Sequence, residues 1–202
     1  MGRFTDETKS GGGFKPEMGI HKAICCQIVE LGTHDTEWEG KVTGKANEIN
    51  YTFEFVDIER EHEGETYHPM WGIREMKHLG PKNNMKKYLE GWRGRQFTKE
   101  EREKFDWGAP LGKSCLLVIG PNSNGNPKLT TISATKDEFV GTRELHDFWI
   151  EKEPVHDFPK WMPEWIQKII LDSYEYGTTT QEEQNPIDEV SASDYLDEDV
   201  PF

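Results

Sequence analysis

Apolar and polar residues alternate in several short stretches of the first part of the chain, which is the pattern of half-buried β-strands. The alternation is strictest over residues 49–55, and we predict a strand there. A strand before it is predicted at residues 20–31, and a long polar connection, residues 32–46, joins the two. The stretch 66–76 predicts a third strand, in which Pro69 indicates an edge position or a bulge.

Helical signals follow the third strand. Apolar residues recur at helical spacing after Asn83, and Gly91 or Gly94 can end that helix. A second, short helix is predicted to begin at Thr98, because Thr98 and Glu101 have the spacing of a capping box. The apolar positions of the first helix are expected in the core: Met85, Tyr88, Leu89 and Trp92.

Two more strands complete the pattern. Residues 114–119 form a compact apolar stretch, residues 121–127 are almost all turn-forming types, and residues 128–134 resume an extended pattern. Three strands, a helical connection and two further strands match the five-stranded, partly open barrel called the OB-fold. The sequence therefore predicts a mainly β protein, a five-stranded OB-fold barrel with a helical connection between strands 3 and 4.

The segments that flank this barrel differ from it in composition. Residues 1–14 have few apolar residues and a run of three glycines, so we expect a flexible lead-in. The barrel is assigned to residues 15–140. Residues 141–176 form a C-terminal extension, in which a proline followed by apolar positions on one face, at 163–171, predicts a docked helix. Residues 177–202 are too polar to bury surface, and we expect a disordered acidic tail.

Charge is distributed unevenly over the 202 residues, whose net charge is −14. Residues 169–202 contain ten acidic residues and no Lys or Arg, whereas residues 74–104 contain ten basic residues against five acidic ones. Such an asymmetry fits a protein that binds a polyanion and displays an acidic peptide. A solvated charged surface is the plainer interpretation of the same cluster.

Several function classes receive no support. No apolar run approaches the ~18–20 residues that cross a bilayer, and the N-terminus lacks the apolar stretch of a signal peptide, so we expect a cytoplasmic protein. Cys25, Cys26 and Cys115 lack zinc-site spacing and are expected to be buried thiols in a reducing compartment. No histidine pair has metal-ligand spacing and no activated-nucleophile motif occurs, so we expect no metal, no cofactor and no enzymatic activity.

The last six residues are an acidic run followed by an apolar pair and a C-terminal phenylalanine. Carboxylates can be steered toward basic residues, a ring can fill a pocket, and the terminal carboxylate can pair with Arg or Lys. This hexapeptide resembles the acidic tip with which bacterial single-stranded DNA-binding proteins recruit replication and repair enzymes. The partner-binding residues implied are Asp197, Glu198, Asp199, Val200, Pro201 and Phe202.

The body resembles the phage-encoded single-stranded DNA-binding proteins in four motifs. These are IVELGT at 28–33, LEGWRGRQFT at 89–98, LGK at 111–113 and PEWI at 163–166. The resemblance covers residues 14–175 and the tip. It implies non-catalytic, sequence-tolerant binding of single-stranded DNA that protects replication or recombination intermediates. It also implies recruitment of a polymerase, primase, helicase or nuclease through the tip, in the cytoplasm of a bacterial host.

Binding of a single strand needs cations for phosphates and flat side chains for unstacked bases. Trp38 lies beside Lys41 and Lys45 in the connection that OB-folds commonly wrap around a strand, and stacking and packing roles for it are equally open. Tyr67 and Trp71 share a side of the third strand, but the alternation does not reveal which side is inside. The remaining candidates are cations near that strand and the helical connection: Arg74, Lys77, Lys82, Lys86, Lys87, Arg93 and Arg95.

Along the second strand, one side is apolar and is expected in the core, so the other should face outward. The core side has Tyr51, Phe53 and Phe55, and the outward side has Asn50, Thr52 and Glu54.

Three alternatives stay open from the residues. The first is an RNA-binding OB protein, since stacking and backbone tracking barely distinguish the two nucleic acids. The second is an acidic replication adaptor or DNA mimic that binds no nucleic acid. The third is a metal-dependent nuclease using the clustered carboxylates of residues 59–65, which read more simply as a solvated loop.

Overall fold

A computed structural model describes residues 3–5, 14–151 and 157–177 of the chain. The elements in chain order are β1 (Arg3–Thr5), β2 (Gly19–Trp38), β3 (Lys41–Phe55), β4 (Arg60–His62), β5 (Glu65–Tyr67), β6 (Met70–Met76), α1 (Asn84–Arg93), α2 (Lys99–Glu103), β7 (Ser114–Pro121), β8 (Pro127–Ser133), β9 (His146–Phe148) and α3 (Glu164–Leu171). No helix of the described residues is both long enough and apolar enough to span a membrane.

One mainly antiparallel sheet organises the molecule. Its strand order is β1-β6-β3-β2-β7-β8, and β9 pairs in parallel with β2, while β4 and β5 form a separate hairpin. The sheet is not closed, since β1 and β8 stand at its two ends without pairing in the described part of the chain. The predicted mainly β class is therefore confirmed.

Strand β2 is the longest element, and along one of its edges it pairs with two other strands. It pairs with β7 over Gly19–Ile24 and with β9 over Gln27–Val29. An irregularity between Cys25 and Gln27 in its ladder with β3 separates the two regions. Bulges of this kind bend a strand and increase its local twist. The C-terminal part of the chain thus returns to the sheet beside the centre of β2.

The prediction of a long polar connection after the first strand is wrong. β2 and β3 stay paired as far as Trp38 and Lys41, and only Glu39 and Gly40 form the turn. Both turn residues have positive φ, 51° and 74°, as the two-residue hairpin turns that match strand twist require. We call this extension, residues 32–48, the ribbon. Because solvent reaches most of both its faces, its residues lack the apolar alternation that identifies a strand.

The third predicted strand is divided in two. Pro69, where an edge position or a bulge was predicted, instead separates β5 from β6. The preceding charged segment forms the β4–β5 hairpin, whose turn residues Glu63 and Gly64 both have positive φ. Strand β6 alone joins the main sheet, where it pairs with β3.

The predicted helices are confirmed. The Asn83 side chain accepts a hydrogen bond from the Met85 backbone N–H at 2.7 Å at the start of α1, and Gly94 ends the helix in the left-handed conformation. Thr98 and Glu101 form the expected capping box at α2, with bonds of 3.2 and 3.0 Å. The C-terminal helix begins at Glu164, directly after Pro163.

The segment expected to be a flexible lead-in contributes to the fold. Arg3–Thr5 pairs with β6, and the Phe14 ring lies 5.3 Å from the ring of Phe55 in an edge-on contact. A three-residue strand is too short to show a periodic pattern, which explains why it was not predicted.

Apolar residues pack on both faces of the sheet. The main core lies between the sheet and α1, and it includes the predicted Tyr51, Phe53, Phe55, Met85, Tyr88 and Leu89, with Trp92 packed against it. A second core lies against β2, where Val29 and Leu31 contact residues of the C-terminal extension, among them Phe148, Ile166 and Ile170. Because this second core packs against β2, it closes part of that face of the sheet to solvent.

Candidate nucleic-acid interface

The face of β2 and β3 that points away from the main core is covered. We call the covering segment, residues 139–151 and 157–177, the strap. Asn50, Thr52 and Glu54 lie on this face as predicted, yet all three are buried, and Glu54 is only 1% exposed. The expectation that they face solvent is corrected, because the strap occupies the space that solvent would fill.

The Glu54 carboxylate anchors the strap. It accepts hydrogen bonds from the Thr142 backbone N–H at 2.9 Å and from the Thr142 hydroxyl at 2.5 Å, and a longer one from the Arg143 backbone N–H at 3.3 Å. The approach is close, since a Cβ on Gly141 would lie 2.4 Å from a Glu54 carboxylate oxygen. A buried carboxylate is stable only when its oxygens are satisfied in this way.

The end of the strap is fastened to the base of the ribbon. The Glu175 carboxylate accepts from the Thr33 backbone N–H at 2.7 Å and from its hydroxyl at 2.6 Å. The Tyr174 hydroxyl donates to Asp35 at 2.7 Å, and the ammonium of the candidate Lys45 lies 3.3 Å from the centre of the Tyr174 ring. These contacts fix the position of the ribbon and partly occupy Lys45 in a cation–π interaction.

Two candidate cations at the edge of the sheet are paired with carboxylates. Arg74, on β6, forms an ion pair with Glu48 on β3. Lys77, just after β6, pairs with the buried Glu30, and its ammonium also lies 5.4 Å from the Trp149 ring centre. Phosphate would have to compete with these carboxylates for either cation.

Three candidates around α1 are paired as well. Lys86 contacts Glu90 at 3.1 Å, one helical turn away. Glu101 receives Arg93 at 2.8 Å and Arg95 at 2.5 Å. Hydrogen bonds from Arg95, from the Thr98 backbone N–H and from Arg93 lower the pKa of Glu101 to about 2, so the carboxylate is ionised at neutral pH.

Three candidate lysines stay exposed and form no ion pair with any described residue. Lys41 begins β3 at the tip of the ribbon, while Lys82 and Lys87 flank the start of α1. Trp38 faces Lys41 across the turn in the backbone register, and its side chain lies outside the described part of the structure.

The two aromatic candidates of the third stretch separate. Trp71 is 2% exposed, with its ring 6.4 Å from that of Phe55, so it belongs to the main core and not to a binding surface. Tyr67 is half-buried on β5, in the small hairpin, where it pairs with Arg60. The expectation of a shared side fails because Pro69 interrupts the strand between the two residues.

Sequence reasoning missed a cleft of about 670 Å³ beside the end of α1. Rings of Trp92, Phe105 and Phe139 line it. The charged lining residues are Arg93, Lys113, Lys136, Asp137 and Glu138, and uncharged lining residues include Leu89, Pro110 and Ser114. A signal was present in the sequence, because residues of the motifs at 89–98 and 111–113 meet in this cleft.

Neither family models, nor curated proteins, nor solved structures gave a match to this chain. The tip, Asp197–Phe202, lies outside the described residues. Within the described ranges, no group of three or more His, Cys, Asp or Glu side chains is arranged to hold a metal ion. All three cysteines are buried, and burial is the main cause that raises the pKa of Cys26 to about 12.

Proposed function

We propose that this chain binds single-stranded DNA without catalysis and without strict sequence preference. The observation that carries the proposal is the pairing of five strands. β3 lies between β2 and β6, β7 lies between β2 and β8, and α1 falls between β6 and β7 in the chain. An OB-fold has these neighbours and this helix position, and among the described residues β6 and β8 do not pair to close a barrel. We therefore propose that these strands form a partly open OB-fold.

The ribbon supports the same proposal. It extends the connection between the first two strands of that fold, one of the two loops with which OB-folds hold oligonucleotides. Lys41 and Lys45 lie on it, and Lys41 is exposed. A projecting arm with cations can follow a flexible phosphate backbone, and such contacts are largely independent of base sequence.

The cations differ in how readily they can reach phosphate. Lys41, Lys82 and Lys87 are available without breaking an ion pair. Arg74, Lys77, Lys86, Arg93 and Arg95 each have a carboxylate partner, so a phosphate contact from any of these residues requires an exchange of partners. We propose that the first group supplies the main phosphate contacts of the candidate set.

The acidic tip completes the proposed function. Its carboxylates and terminal phenylalanine suit a separate pocket with cationic residues on a replication or recombination enzyme. In this proposal the body protects the strand and the tip recruits the enzyme that acts on it.

The test is a titration of labelled oligo(dT) and of a duplex of equal length at several salt concentrations. We expect tight binding to the single strand, weaker binding to duplex, and a slope of log K against log salt of ~−0.7 per phosphate contact. Equal affinity for the duplex, or no dependence on salt, would contradict the proposal.

The same assay separates the alternatives. Preference for oligo(U) over oligo(dT) would indicate the RNA-binding protein, and binding to neither would indicate the adaptor or DNA mimic. Loss of the labelled strand when magnesium is added would indicate a nuclease.

A further inference from the structure

The proposed fold normally binds nucleic acid on the outward face of its second and third strands. Those strands are β3 and β6 here, and the strap lies on that face over β3, where Glu54 beneath it is almost completely buried. Phe148, Ile166 and Ile170 form a core against β2 as well. A single strand could reach the β3 part of this face only by displacing a packed segment, which favours a further surface for its bases.

The cleft beside α1 has the composition that unstacked bases require. Trp92, Phe105 and Phe139 line it, and each ring is only partly buried. Its volume of about 670 Å³ falls within the ~300–1,000 Å³ typical of ligand pockets. Trp92 is held in place, because its indole N–H donates to the Ser114 carbonyl at 2.9 Å. A fixed ring at the wall of a cleft favours stacking, since little side-chain freedom is lost on binding.

Cations at the cleft are more available than most of the candidates elsewhere. Lys113 and Lys136 are exposed and form no ion pair with the described residues. Arg93 uses one terminal nitrogen for Glu101, while the other is buried and has no hydrogen-bond partner. Asp137 and Glu138 also line the cleft, so the excess is one positive charge and stacking should contribute more than phosphate contacts.

We propose that this cleft holds bases of the bound single strand, with Phe139, Phe105 and Trp92 as stacking surfaces and Lys113 and Lys136 as phosphate contacts. The inference rests on the proposed function and specifies its site. It places base contacts beside the end of α1, in a cleft to which the strap contributes only its first residue, Phe139.

Two variants of the full chain test the site. Phe139→Ala removes a ring that is absent from both cores, and we expect affinity for oligo(dT) to fall ~5- to 150-fold, the effect of losing one stacked base. Lys113→Glu with Lys136→Glu should weaken binding strongly at low salt. The matched control is Lys160→Glu with Lys168→Glu, the same charge change at exposed lysines of the strap, for which we expect a smaller loss. Thermal unfolding of each variant establishes that it is folded.

Photocrosslinking identifies the contact directly. Oligo(dT) carrying 5-iododeoxyuridine is expected to crosslink to peptides that contain Trp92, Phe105 or Phe139. Crosslinks confined to the ribbon or to β5, or cleft variants that bind like the wild type, would overturn the cleft while leaving single-strand binding established. A wild-type chain that binds no oligo(dT) would overturn the proposed function itself. If the cleft variants lose only binding to a synthetic peptide of residues 197–202, the cleft is a peptide site and the inference is wrong.

Discussion

Glu54 illustrates how one side chain decides which face of the sheet is open. The sequence places it correctly on the side of β3 away from the main core, but a lone carboxylate in an alternating strand usually indicates exposure to solvent. Its hydrogen-bond donors come from residues 88 and 89 positions later in the chain. A contact of that separation leaves no local pattern, so burial of Glu54 could not be predicted.

Replacement of Glu54 tests the anchoring of the strap. Glu54→Ala leaves the backbone N–H groups of Thr142 and Arg143 without their acceptor, and we expect the free energy of unfolding to fall by at least ~1–3 kcal/mol. Glu54→Gln keeps one acceptor oxygen and should cost less. Urea denaturation measures both variants, and Glu61→Ala, at an exposed position of β4, is the control. Equal stability of Glu54→Ala and the control would show that the strap is held by its other contacts and not by Glu54.

The candidate cations show a second case in which residue types alone do not predict what a side chain contacts. Residues 74–104 contain more basic than acidic residues, yet five of the seven candidate cations in this segment form an ion pair with a carboxylate. Glu30 and Glu48, which neutralise Lys77 and Arg74, lie far outside the segment. Alanine at these two cations would leave buried or half-buried carboxylates without an ion-pair partner. A loss of DNA affinity in such a variant could therefore not be separated from a loss of stability.

At the scale of elements, local signals identified the structure wherever they were present. The Asn83 cap, the end of α1 and the capping box at Thr98 act within one helical turn. The cap and the capping box were predicted, and Gly94 was one of the two glycines predicted to end α1. The ribbon and β9 were not predicted. The ribbon is solvated on most of both faces and β9 is three residues long, so neither has a periodic apolar pattern, and each is specified by its pairing with β2.

The ribbon gives the element-scale prediction. Lys41→Ala with Lys45→Ala removes two cations that have no ion pair in the described residues. Lys45 gives up its cation–π contact with Tyr174, but the hydrogen bonds of Glu175 to Thr33 and of Tyr174 to Asp35 remain, so the fold should persist. Each lost phosphate contact should flatten the slope of log K against log salt by ~0.7, which makes the expected change ~1.4 for the pair. Lys160→Ala with Lys168→Ala is the control. An unchanged slope in the ribbon variant would place the phosphate path elsewhere.

At the scale of the whole molecule, the strap joins three features that the sequence presents separately. It covers the outward face of β2 and β3, it supplies the second core, and its last residues hold the base of the ribbon through Tyr174 and Glu175. Gly177, the last described residue, thus follows directly on the contacts that hold the base of the ribbon.

Removal of residues 178–202 tests the role of the acidic tail and of the tip. The deletion removes eight acidic residues and no Lys or Arg, which changes the net charge from −14 to −6. Because like charges repel phosphate and salt screens that repulsion, we expect affinity for oligo(dT) to stay equal or rise, most clearly at low salt. Deletion of Phe202 alone should leave DNA affinity unchanged and abolish capture of a replication or recombination enzyme, since the ring and its carboxylate would be the anchor. A tail-free chain with weaker DNA binding would show instead that the segment contributes to the binding surface, and recruitment through the tip would then have to be abandoned as its main role.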